Sequence, residues 1–212
     1  MLSRVLYAAR TSLGVAALGA LVATAVGGLW GAAAGVAGGT VDRLLMRLVD
    51  VALGVPRVLL LLAVVALWGN VPPATLALAL GLTAWPATSR LVRTRVAQVR
   101  AEEFVAAARA LGASPLRVLA RHVPPHVMGT VTVAGTLLFA ELLALEAGLS
   151  FLGLGVTSPD ASWGSMVQDG TPDLLGAWWT AAFPTLCIIA SVLSATTLGD
   201  AIADRARPGA AE

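Results

Sequence analysis

No ionisable residue occurs between Arg10 and Asp42, and none between Arg57 and Arg90. An apolar run of about 18 or more residues is long enough to cross a bilayer, because every backbone polar group can be satisfied inside one helix. These two stretches therefore leave little room for a water-soluble fold. Composition agrees. Hydrophobic residues make up 58% of the 212 and charged residues 12%, against about a quarter charged in a typical soluble domain. Most of the surface must face something other than water. The segment from Met1 to Arg10 is mixed, and the apolar run after it is too long for a signal-peptide core. It reads as a retained span.

The spacing of apolar runs and breakers predicts an all-α membrane protein with about five transmembrane helices, at 11–40, 50–69, 74–91, 127–147 and 178–198. In the first, Gly27, Gly31, Gly35 and Gly39 recur every fourth residue, and Gly19 and Ala23 extend the row. Such a row lies along one face and lets another helix backbone approach closely. Either a second subunit or a helix of this chain could fill it, and the sequence reading favours a subunit contact. Arg57 near the start of the second span can snorkel to the interface. Asn70-Val71-Pro72-Pro73 reads as a tight turn and Trp85-Pro86 as a kink.

All 14 basic residues are arginine. A phosphate-binding P-loop needs a lysine, so ATP hydrolysis by this chain is excluded. A net charge of +2 does not suggest nucleic-acid binding, and Cys187 stands alone. Arginine placement sets orientation. The segment 89–126 holds Arg90, Arg93, Arg95, Arg100, Arg109, Arg117 and Arg121. With Arg43, Arg47, Arg205 and Arg207 it predicts a cytoplasmic side. Segment 148–177 has Asp160, Asp169 and Asp173 and no base, and reads as an outer loop. The N-terminus is then outside and the C-terminus inside. Trp68, Trp178 and Trp179 fall at the outer boundary.

Residues 101–125 read as two short helices meeting at a corner. Glu102 and Glu103 suit a first turn and Arg109 a last turn. Gly112 supplies a stop, and Ser114-Pro115 a new start. Phe104, Ala108 and Leu111 share one face, and Leu116, Leu119 and Val123 another. Such a corner could dock in a groove of a partner protein or lie on the membrane surface.

The pattern E-A-A-x-x-x-G-x9-I-x-L-P is matched in register by Ala107, Ala108, Gly112 and Pro125, with Ala106, His122 and Pro124 in place of the glutamate, isoleucine and leucine. The stretch resembles the coupling loop of bacterial ATP-binding-cassette importer permeases. LSRVLYAARTSL, GGTVDRLLMRLVDVALGVP, EFVAAARALGAS, LSFLGLGV and LGDAIADRARP resemble segments of the dipeptide/oligopeptide/nickel class. The likeness covers almost the whole chain, except that members of this class usually begin with a further span. It implies a single permease domain over 1–212, no catalytic residue, metal or cofactor, and an inner-membrane location. The implied partners are two ATPase subunits, a second homologous permease, an extracytoplasmic solute-binding protein and the lipid bilayer. Glu103, Phe104, Ala107, Ala108, Leu111, Gly112 and Leu116 would form the ATPase-coupling loop. The cargo would be di- or oligopeptides, with nickel or another small solute as the alternative. A non-transporting scaffold would use the glycine face alone.

Glu141 and Glu146 lie in the fourth span, where a carboxylate usually faces a cavity or a partner. They are candidates for the translocation path, for instance against a peptide ammonium group. The competing reading is a structural hydrogen bond to a serine, threonine or neighbouring helix. His122 and His126 are four apart, but Pro124 and Pro125 break the helix that could pair them on a metal. Ser150 has no histidine on its side of the membrane to serve as a base.

Overall fold

The computed structural model describes residues 1–68, 71–112, 114, 123–156 and 159–205, without the side chains of Trp68, Arg109 and Val123. The described residues are helical wherever they are regular: α1 Leu2–Ala37, α2 Gly39–Gly54, α3 Arg57–Trp68, α4 Pro73–Arg100, α5 Glu103–Ala110, α6 Val123–Phe151, α7 Trp163–Gly170, α8 Leu174–Ala177 and α9 Trp179–Arg205, with a 3-10 turn at Thr171–Asp173.

The all-α class expected from sequence is the one observed, but five separate spans are not. Among the described residues, α1, the stretch Pro124–Phe151 of α6, and α9 are long and apolar enough to cross a bilayer. The second predicted span is broken. Gly54-Val55-Pro56 separates α2 from α3, which meet at 70°. Pro56 has no N–H to continue the ladder and drives Val55 to an extended conformation. Counted as one crossing, the bent pair makes four. The apolar stretch of α4 is diluted by Thr83, Thr88, Ser89 and Arg90, and the helix continues through Pro86.

Other boundaries shift for identifiable reasons. The first span begins at Leu2 rather than 11, because residues 2–12 extend past the bundle to meet α7. The Trp163 indole N–H donates to the Val5 carbonyl at 3.0 Å, and its backbone N–H donates to Ser12 Oγ at 3.0 Å. The same span ends at Ala37, because Gly38 and Gly39 take φ of 66° and 59°, a left-handed conformation natural to glycine. Segment 148–177, expected as a loop, is largely helical among its described residues. Ser162 and Ser165 form a reciprocal capping box at the start of α7, and Trp163 and Met166 are buried. The fourth span begins at Val123 rather than 127, with Pro124 and Pro125 in the first turn of α6, where a missing N–H costs nothing.

The helices pack as an organised bundle. α1 and α4 lie side by side and run parallel. Gly19 meets Ala77, Gly27 meets Trp85, Gly31 meets Ser89 and Gly35 meets Val96, in rising order on both helices. The bent α2–α3 pair carries the chain back between them, and α6 runs antiparallel to α1. A core of Val15, Ala16, Ala20, Leu76, Leu80, Leu138, Leu142 and Leu143 joins α1, α4 and α6. One end of the bundle gathers the end of α4, α5 and the start of α6. This is the arginine-rich end. The opposite end carries α7.

Candidate functional site

At the arginine-rich end, α4 passes into α5 through a tight turn. The Glu102 carbonyl accepts from the Val105 and Ala106 amides at 3.1 and 3.2 Å. Glu103 occupies the first turn of α5, where its charge opposes the helix dipole. After Leu111, Gly112 adopts φ 87°, a left-handed stop that few other residues tolerate. Val105 is fully buried and packs with Val36, Val92, Val96, Val99 and Val127. Six stiff β-branched side chains from four helices thus fix α5 to the bundle. The other face is open: Phe104 is 40% exposed and Leu111 90% exposed, with Ala107 exposed beside them. Phe104 stacks on His126 at a ring distance of 4.9 Å. Ala108 is half-buried. Leu116, Leu119 and the second predicted helix lie outside the described residues. The result is an anchored element with an apolar outward face.

Arginines that served only as markers of topology in the sequence hold helices together here. Arg93 grips Asp42 through two hydrogen bonds, Nε to Oδ1 at 2.9 Å and Nη2 to Oδ2 at 2.5 Å, tying α4 to the start of α2. Arg90 pairs with Asp50, and Arg100 Nη1 donates to the Gly35 carbonyl at 3.3 Å. A bidentate arginine–carboxylate contact fixes orientation as well as distance.

The glycine row faces α4 of the same chain. A Cβ at Gly27 would lie 2.5 Å from the Trp85 carbonyl oxygen, and one at Gly35 2.8 Å from Val96 Cβ. One at Gly31 would overlap the Ser89 carbonyl. The subunit contact favoured from sequence is thus replaced by an intrachain seam. Gly39 drops out of the row altogether, because the helix ends at Gly38 and nothing lies within 4 Å of a Cβ there.

The two intramembrane carboxylates differ. Glu146 is fully buried. Its Oε1 accepts from Ser150 Oγ at 2.7 Å, and that oxygen in turn accepts from the Val156 amide at 3.2 Å. Ser12 and Ser162 lie alongside the carboxyl, and Oε2 has no hydrogen bond in regular geometry. Glu146 therefore joins α1, α6 and the segment leading into α7, and presents nothing to a path along this chain's surface. Glu141 does present itself. Its side chain is 60% exposed, and Oε1 accepts from Arg57 Nη1 at 2.5 Å. Arg57 sits at the α2–α3 break, against a residue 84 positions away. Translocon-type scales put a lone charge at mid-membrane at about 2.5–3.5 kcal/mol. That cost argues that this face is turned away from lipid. Pro56 was the available signal for the break; nothing local signals the pairing.

The family model described as "Binding-protein-dependent transport system inner membrane component" matches residues 10–208. The dipeptide transport system permease protein DppC of Bacillus subtilis is 36% identical over 97% of the chain and 64% of its own length. The oligopeptide transport system permease protein OppC of the same organism is 36% identical over 94% of the chain and 65% of its own length. The chain thus spans just under two thirds of the length of these relatives. Among solved structures, a chain of the inward-facing MetNI methionine ABC transporter superposes with a TM-score of 0.80 over 98% of both chains, at 16% identity. At that identity the likeness concerns the fold.

Proposed function

The chain belongs to the binding-protein-dependent transport system inner membrane components, multi-pass membrane proteins, and on that footing we propose that it is the permease subunit of an ATP-driven importer of short peptides. It forms half of a translocation path, the other half being a second homologous permease. Two ATPase subunits supply hydrolysis, and an extracytoplasmic solute-binding protein delivers cargo. The arginine-rich end lies in the cytoplasm and α7 outside. The peptide assignment leans on the names of the similar proteins from Bacillus subtilis.

The observation that carries this reading is α5. An eight-residue helix is anchored through Val105 to α1, α4 and α6, while Phe104, Ala107 and Leu111 face outward. An apolar face held this firmly can transmit a push from a groove in another protein. Glu103, Phe104, Ala107, Ala108, Leu111, Gly112 and Leu116 form the coupling surface, and Glu141 lines the path. Gly112→Val tests the coupling role. A β-branched residue is strained at φ 87°, so the corner must rebuild. Peptide-stimulated ATP hydrolysis by the reconstituted importer should be lost, with membrane insertion unchanged. Undiminished coupling would refute the assignment.

A further inference from the structure

Arg57 and Glu141 form a pair that is complete in charge and incomplete in hydrogen bonding. Nη1 of Arg57 serves Glu141, while Nε and Nη2 are buried with no hydrogen-bond partner among the described residues. Glu141 uses one oxygen for Arg57 and keeps a side chain 60% exposed. Both residues sit at similar depth. Arg57 opens α3, about 17 Å of helix below Trp68, and Glu141 lies about 15 Å of helix below Phe151. With the ends of α3 and α6 taken as the outer boundary, both distances fall near the middle of a hydrocarbon layer roughly 30 Å thick. Arg57 also stands at the one break in a span among the described residues, next to Pro56, where α3 can tilt without unfolding a continuous helix.

We propose that Arg57 and Glu141 are an exchangeable charge pair that takes the two termini of a zwitterionic peptide in transit. This rests on the permease reading above. In the absence of cargo each residue neutralises the other. Cargo with both a free carboxylate and a free ammonium can replace both partners at once: the carboxylate takes the guanidinium fork, including the unused Nε and Nη2, and the ammonium takes the Glu141 carboxylate. A ligand with only one charged terminus opens the pair and leaves the other member unpaired within the membrane, which is unfavourable. The site therefore selects short peptides with both ends free, independently of any selection made before the cargo arrives.

The test uses the assembled importer in lipid nanodiscs without its binding protein, and radiolabelled Ala-Ala, N-acetyl-Ala-Ala and Ala-Ala-amide as probes. Wild type should bind Ala-Ala about tenfold or more tighter than either blocked form, the range of one charge-assisted contact. Glu141→Gln should lose discrimination against the N-acetyl form and keep it against the amide. Arg57→Gln should do the reverse. A pair that only holds α3 to α6 would give equal losses for all three probes, and that result overturns the proposal, as does wild type without discrimination or without binding. If the single variants fail to assemble, the reversed pair Arg57→Glu/Glu141→Arg keeps the ion pair. It must still favour Ala-Ala over both blocked forms by about tenfold; equal affinities overturn the proposal. ATP-driven Ala-Ala uptake by proteoliposomes is measured in parallel. Uptake without terminal selectivity defeats only this inference, whereas absence of any peptide uptake by the wild-type complex defeats the permease reading beneath it.

Discussion

Gly31→Ala isolates the contact on which the bundle depends. The added methyl would stand 2.9 Å from the Arg93 amide nitrogen and inside the Ser89 carbonyl. Ordinary carbon contacts lie at about 3.5–4.0 Å, so α1 and α4 must part by on the order of 0.5–1 Å. The obstacle is backbone on a second helix, which cannot swing aside as a side chain could. Overpacking of this kind costs about 1–3 kcal/mol. The separation also relieves the crowding at Gly27, where a methyl would meet the Trp85 carbonyl and Thr88. The double variant Gly27→Ala/Gly31→Ala should therefore cost less than the sum of the two singles. Gly28 is the control. Nothing lies within 4 Å of a methyl there, and Gly28→Ala should stay within about 0.5 kcal/mol of wild type. Unfolding in mixed micelles by sodium dodecyl sulfate, followed by tryptophan fluorescence, gives the comparison. Trp30 and Trp85 lie 5.2 Å apart across the seam and report its opening. If Gly31→Ala is as stable as wild type and instead reduces co-purification with a second permease, the row is a subunit contact and the argument fails.

Two further outcomes follow from the polar sites. Glu146→Gln should fold and assemble normally, since an amide can both accept from Ser150 and donate to the serines beside it. Glu146→Ala leaves a cavity and strands the Ser150 hydroxyl in the bundle, and should lower stability by about 2–4 kcal/mol in the same micelle titration; equal stability of the two variants would contradict a structural role. In a Cys187→Ala background, cysteine at Leu175 should react with an impermeant thiol reagent on intact cells and cysteine at Leu111 only after permeabilisation. Both side chains are open in this chain, so a reversed pattern would invert the topology.

What the sequence disclosed, and what it did not, divides along physical lines. A glycine every fourth residue specifies a close approach along one face, but a period carries no information about which helix comes near. Only the fold assigns α4 to it. The left-handed stop at Gly112 was legible, because a glycine after an amphipathic turn has few other uses. The break at Pro56 was overlooked because the apolar run continues through it and hydropathy averages across one proline. Segment 148–177 is rich in glycine and proline and so resembles a loop. Its helix starts on a Ser-x-x-Ser box, a weaker signal than Ser-x-x-Glu, and Gly164 is there because α7 packs against the Ala147 backbone. The pairings Arg93–Asp42 and Arg57–Glu141 span 51 and 84 residues, beyond the reach of local pattern. Arginine counts revealed which end of the bundle is basic, not that the same arginines brace α4 against α1 and α2.

In the proposed importer, α5 is the place where ATPase movement enters this chain. A photoactivatable crosslinker attached to cysteine at Leu111, 90% exposed on the α5 corner, tests that directly in the assembled importer. Crosslinking should capture an ATPase subunit, with a yield that changes between the nucleotide-free and ATP-bound states, while the same probe at Leu175 captures none. An ATPase adduct at Leu175, or none at Leu111 in an actively transporting complex, would contradict it.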